Sequence, residues 1–212
     1  MAALATVPDA AALDIQTGGG EVLATIPAAP PTLVATEGWA PNAEVARRNL
    51  AHFGADIVEI GEDEDFPFAD SSFDLVTSRH PVRVRWDEVA RVLKPGGNYL
   101  SQEIGHLTVI ELTEFMMGPQ PPNENRLPER AVAAAGAAGL RVTDLRTARL
   151  RMEFYDIAAV IVFLRKVIWT VPGFTVAGYL DRLREMHERI TKDGVFIAHS
   201  TRFLIEATKP AS

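Results

Sequence analysis

Short apolar runs bounded by glycine, proline or acidic residues alternate with stretches of helical periodicity through the first half of the chain. Ala10 to Leu13 reads as the end of a buried strand, and Gly18-Gly19-Gly20 then allow backbone conformations that a side chain would forbid. A sharp turn into a short helix over Glu21 to Ile26 is expected next, stopped by Pro27 and the Pro30-Pro31 pair. Thr32 to Thr36 predicts a second strand finishing at Glu37. Pro41 opens a helix with Ala46, Leu50 and Phe53 on one face and Gly54 at its end. Asp56 to Ile60 predicts a third strand and Phe73 to Ser78 a fourth, separated by the acidic run Glu62 to Asp65 and a Phe66-Pro67-Phe68 loop. Trp86, Val89, Ala90 and Leu93 mark a helix that ends at Lys94-Pro95-Gly96-Gly97, before a fifth strand from Asn98 to Ile104.

The regular strand and helix rhythm to residue 104 indicates a parallel sheet with helices on both faces, which binds ligands at the carboxyl ends of its strands. Gly118 to Asn125 reads as a mobile loop, and Pro128 to Gly139 as an alanine-rich helix. From Leu140 the pattern changes to alternation, with Ala148, Leu150, Met152 and Phe154 between charged residues, the mark of a half-exposed strand. Helices follow at about 155–168 and 175–191, the second with Leu183, Met186, His187 and Ile190 on one apolar face, where His187 reads as a core histidine. Val195 to Ala207 closes the chain as a last strand. No repeat or domain boundary interrupts the pattern, so residues 1–212 are expected to form one domain, with a ligand-binding half at 1–105 and helices and two strands at 106–212.

Composition narrows the function. With 47% hydrophobic and 23% charged residues the chain suits a globular core, and the absence of cysteine removes disulfides and thiolate chemistry. Its five histidines have no helical His-x-x-x-His pair, so no metal site is expected. The net charge of −7 argues against a nucleic-acid partner. No apolar run approaches the ~20 residues of a membrane span. Residues 1–13 lack the basic start of a signal peptide, so a cytoplasmic location and a small-molecule substrate are expected.

The chemistry is concentrated at the strand ends. The loop Asp14 to Glu21 follows the first strand, and a helix beginning there would turn free N–H groups toward a hydrogen-bond-accepting ligand. Such loops serve dinucleotides, phosphates or S-adenosylmethionine. Glu37, 17 residues after Gly20 at the end of the second strand, is placed to accept hydrogen bonds from the two hydroxyls of a ribose. The segments Phe66-Pro67-Phe68-Ala69-Asp70-Ser71-Ser72-Phe73-Asp74-Leu75-Val76 and Glu88 to Gly97 then decide among these. Together with Asp14 to Gly20 and Glu37, they closely resemble class I S-adenosylmethionine-dependent methyltransferases, over about residues 10–105.

The resemblance implies a Rossmann-like doubly wound α/β fold with a seven-stranded, mostly parallel sheet and an antiparallel last strand. It implies that the Gly18 to Gly20 backbone meets the methionine part of S-adenosylmethionine and that Asp14 holds its amino group. Glu37 would take the ribose, Glu62 and Asp63 would lie beside adenine, and Ser78 and Arg79 would border the sulfonium. Gln16, Thr17 and Gly38 complete the expected cofactor set. A sulfonium and an ammonium suit a site ringed by Asp14, Glu37 and Glu62. His80 is the best-placed general base for a protonated acceptor, or else shapes the turn with Pro81. Arg79, Arg83 and Arg85 either attract an anionic acceptor or form a solvated face. Tyr155, Trp169 and Phe174 either pack in the core or wall an apolar acceptor.

Two departures from the family pattern stand out. Gln16 replaces the first glycine of the acidic-x-Gly-x-Gly-x-Gly signature, so this position is expected to be extended or the loop displaced. The chain also reaches its first strand within about ten residues, so the lid must come from the 106–126 loop, the 155–191 helices or a second chain, as in a homodimer. The expected function is methyl transfer to a small molecule, leaving S-adenosylhomocysteine. The alternative is a non-catalytic binding or scaffold protein that keeps the fold.

Overall fold

The computed structural model describes residues 1–121 and 123–211, so Pro122 of the expected 118–125 loop lies outside the described residues. In chain order the elements are β1 (Ala11–Ile15), β2 (Thr32–Glu37), α1 (Ala40–Leu50), β3 (Asp56–Glu59), β4 (Phe73–Arg79), α2 (Trp86–Val92), β5 (Leu93–Ile104), α3 (Ile110–Met117), α4 (Pro128–Ala137), β6 (Arg141–Phe154), α5 (Ile157–Lys166), α6 (Leu180–Asp193) and β7 (Phe196–Thr208). One seven-stranded sheet has the order β3-β2-β1-β4-β5-β7-β6. Strands β1 to β5 pair in parallel. Strand β7 enters antiparallel between β5 and β6, with Gly96 N–H donating to the Lys209 carbonyl (2.8 Å) and Lys209 N–H to the Gly97 carbonyl (3.0 Å) just beyond its end.

The chain falls into two compact units. The first comprises Met1–Glu103, Pro128–Arg146 and the segment from Phe203 onward. Its central strands are apolar on both faces because both faces are covered. Leu13, Ile15, Val34 and Val76 pack with Val89, Val92 and Tyr99 on one side, while Ala12, Leu33 and Ala35 meet Ala46 and Leu50 of α1 on the other. The parallel register sets Asp14 level with Ala35 and with Thr77, so the ends of β1, β2 and β4 open on one edge.

The second unit comprises Ile104–Leu127 and Thr147–Arg202. Its core joins Leu112 and Met116 of α3, Val160 and Leu164 of α5, and Leu183, Met186 and Ile190 of α6 to Phe154 and Phe196. Helix α3 lies where only a loop was expected: Val109, Leu112 and Met116 give it a buried stripe, but it runs only eight residues, and Val109 at its N-cap has φ 57° with no side-chain cap.

Two further expectations are corrected. The helix over Glu21 to Ile26 is only a 3-10 turn, Leu23–Thr25, because Pro27 forces Ile26 to extended backbone and leaves no room for a second turn. No α-helix therefore begins at the glycine loop, and the expectation of free helical N–H groups turned toward a ligand there falls. His187 is exposed: Leu183, Met186 and Ile190 form the buried stripe of α6, and His187 lies about 100° around the helix from Met186.

Candidate functional site

All twelve residues singled out at the strand ends belong to the first unit, and eleven of them line one of two cavities. The first cavity, about 580 Å³, is bordered by Asp14, Gln16, Thr17, Gly18, Ser78, Arg79 and His80, with an apolar wall of Met1, Val22, Leu23, Ile26, Leu100 and Leu204. The second, about 490 Å³, is bordered by Gln16, Glu37, Gly38, Glu62, Asp63 and His80, together with Trp39 and Ile60. Gln16 and His80 line both.

Gln16 is not extended. It takes φ 55°, the left-handed backbone that glycine would adopt without cost, and its side chain accounts for the exchange. Its Nε2 donates to the Arg83 carbonyl (2.7 Å), and Val82 N–H donates to its Oε1 (2.7 Å). The amide thereby ties the loop after β1 to the loop after β4, where His80 is also left-handed at φ 55°.

Gly18 and Gly20 do different work. Gly18, at φ 64°, has nothing within 4 Å of where a Cβ would stand, so its backbone is open to a ligand. Gly20, at φ 74°, would set a Cβ 3.0 Å from the Leu50 side chain and 3.4 Å from Ala46 Cα; it lines neither cavity but lets the loop lie on α1. Gly20→Ala is therefore expected to destabilise the protein by about 2–3 kcal/mol, from overpacking plus left-handed strain, and Gly18→Ala by about 1 kcal/mol. Denaturant midpoints at equal m-value would compare them.

Glu37 is held by the backbone it serves. Its Oε2 accepts the Gly18 N–H (2.8 Å) and its Oε1 accepts the Trp39 N–H (2.9 Å), which fixes the carboxylate at the rim of the second cavity. Gly38 is confined by the Ile60 carbonyl, 3.0 Å from where a Cβ would sit. Trp39, 62% exposed, is an aromatic surface on the same rim that the sequence pattern did not single out. Asp63 pairs with Arg83 (2.6 Å) with both groups exposed, a contact worth little, and Arg85 pairs with Asp65 and Asp87. Of the three clustered arginines, Arg79 alone lines either of these two cavities.

Asp14 is half-buried at the end of β1, hydrogen-bonded by the Thr77 hydroxyl. Burial pushes its carboxyl up to about 6, against the pull of that hydroxyl. Ser78 borders the cavity, but its own hydroxyl is turned to the buried Tyr99 hydroxyl (3.1 Å) and Ser101 Oγ (2.8 Å). Thr77, level with Asp14, is the β4 side chain that meets the carboxylate; alternation along a strand could have indicated it.

A cation with a polar ribose-like portion fits this ground: carboxylates lie along both cavities, and the open Gly18 backbone abuts the one pinned by its own N–H. A methyltransferase domain family matches residues 13–101 of the chain. The ubiquinone/menaquinone biosynthesis C-methyltransferase of Geotalea daltonii is 33% identical over 108 residues, 45% of this chain and 46% of that protein. The demethylmenaquinone methyltransferase of Clavibacter sepedonicus is 41% identical over 127 residues, 56% of this chain and 46% of that protein. The chain thus spans about half the length of the curated relatives it matches. In fold it is similar to the YcgJ protein of Bacillus subtilis (TM-score 0.67, 20% identity, 98% of this chain and 95% of that one). It is also similar to the geranyl diphosphate C-methyltransferase of Streptomyces coelicolor, solved with S-adenosyl-L-homocysteine (TM-score 0.56, 15% identity, 95% and 71%).

Proposed function

We propose that this chain, whose residues 13–101 match a methyltransferase domain family, is a class I S-adenosylmethionine-dependent methyltransferase that transfers a methyl group to a small molecule with an apolar portion. The observation that carries the proposal is Glu37, gripped through both oxygens by the glycine loop and the Trp39 backbone. When bound, S-adenosylmethionine supplies an electrophilic methyl on a cationic sulfur.

The chain's own residues supply binding and alignment, which contribute most of the barrier reduction in such a displacement. Glu37 takes the ribose hydroxyls, with Gly38, Glu62, Asp63, Ile60 and Trp39 around the base. Asp14 holds the amino group, with Thr17, Gly18 and the Thr77 hydroxyl about it. Ser78, Arg79 and His80 border the methyl position, and His80 accepts the proton of an acceptor that arrives protonated. The wall of Val22, Leu23, Ile26, Leu100 and Leu204 excludes water and suits the apolar part of the acceptor, in keeping with the quinone-pathway names of the two relatives. The first unit is the cofactor-binding half, and the later elements serve the acceptor.

The reading extends to a cytoplasmic protein without a nucleic-acid partner, in line with the net charge of −7, and to a homodimer, which light scattering would test. The function itself is tested by titrating S-adenosylhomocysteine calorimetrically and by following label from methyl-labelled cofactor into quinol and phenol acceptors. Binding without transfer to any acceptor would favour the second reading, a non-catalytic scaffold. The Gln16 amide, which lines both cavities where the family has glycine, is what speaks for it. No binding at all would overturn the transfer reading and leave the scaffold one standing.

A further inference from the structure

The second unit contains a cavity of its own, about 250 Å³, with His106, Thr113, Met117, Gln120, Arg126 and Trp169 among its walls. In a chain of net charge −7, none of its lining residues is acidic. Several arginines of this unit are paired, among them Arg149 with Glu111 and Arg182 with Glu185. Arg126 is half-buried, and among the described residues no carboxylate or other side chain bonds its guanidinium. Burial presses its pKa downward. A desolvated guanidinium without a counter-charge is costly, and an anion that brings its own carboxylate removes that cost with a bidentate fork. Behind the wall, Arg202 donates to the hydroxyl of Thr108, another lining residue (3.1 Å), and the Glu114 carboxylate accepts from the backbone N–H of Gln120 (3.5 Å).

The remaining walls select the rest of the ligand. Met117 and the ring of Trp169, a tryptophan 53% exposed, give an apolar surface for one planar group, and the volume accommodates a single ring without a long tail. We propose that this cavity binds a small aromatic carboxylate, its carboxylate on Arg126 and its ring against Trp169 and Met117. One guanidinium with apolar walls is a poor phosphate site, which calls for several converging donors. The site stands whether or not the first unit transfers methyl groups, because its test reads binding alone.

Benzoate titrated into the full chain is expected to bind saturably, with heat in calorimetry and a fluorescence change that Trp169→Phe removes. Benzamide, the same shape without the charge, is expected to bind at least about tenfold more weakly to the unaltered protein. Arg126→Gln is expected to weaken benzoate by a similar factor without lowering the melting temperature. Absence of saturation, equal binding of benzamide, unchanged binding in Arg126→Gln, or displacement of benzoate by an equal concentration of inorganic phosphate would each overturn the proposal. The benzamide comparison needs no variant, so a misfolded Arg126→Gln would leave a decisive measurement.

Discussion

Replacing Glu37 by alanine is expected to weaken S-adenosylhomocysteine binding about 100-fold, while leaving the protein folded. Hydrogen bonds to a charged acceptor contribute about 1.5–3 kcal/mol each, and Glu37 is proposed to accept two from the ribose, so a loss near 3 kcal/mol is a conservative expectation. The same carboxylate organises its own site, because it accepts the Gly18 and Trp39 N–H groups at 2.8 and 2.9 Å. Alanine therefore removes the ribose acceptor and also frees the glycine loop. Glu37→Gln separates the two effects: its amide oxygen can keep one backbone bond, so a smaller loss there would assign the remainder to loop disorder. Calorimetry on both variants measures this, and wild-type affinity in Glu37→Ala would remove the residue from the cofactor site.

Asp14 is expected to pull stability and binding in opposite directions. Its carboxyl is raised from 3.8 to about 6 in the folded protein, so between these values the folded state holds a proton that the unfolded state has released. Stability contributed by this group is present below about pH 4 and is lost as pH rises to about 6. Glu103, raised by burial to about 7, adds to the same trend from about 4.5 upward. Asp14→Asn is therefore expected to stabilise the free protein at pH 7 by about 1–2 kcal/mol after allowance for solvent screening, a rise of roughly 3–6 °C in melting temperature. It is also expected to lose at least about tenfold in cofactor affinity, since the ammonium partner is gone. For the native protein, affinity should fall as pH drops through 6, as the carboxylate is neutralised. A variant with an unchanged melting temperature and unchanged affinity would show that Asp14 is neither strained nor used.

Why some of this was legible in the sequence follows from where each residue's constraint lies. The first-unit strands could be read because a sheet covered on both faces demands unbroken apolar runs such as Ala10 to Leu13. The positions of Asp14, Glu37 and Glu62 followed, since strand ends fix them. Residues constrained by partners far along the chain were not legible. Nothing near Gln16 announces that its amide reaches residues 82 and 83, and that contact is what permits a left-handed glutamine. Trp39 likewise gains its significance from its place on a rim, whereas alternation along β4 was enough to indicate Thr77. Helix α3 escaped because it is only eight residues long and has no capping side chain, so its buried stripe of Val109, Leu112 and Met116 is too short to read as a period.

The Gln16 amide also gives the molecule an internal reporter. Val82 is 75% exposed, so its backbone hydrogen would exchange with solvent at the rate of an open loop were it not donated to Gln16 Oε1 at 2.7 Å. Its isotope exchange thus measures how often the two strand-end loops part, one amide at a time and without any ligand or label, and Gln16→Gly sets the unprotected limit against which it is read.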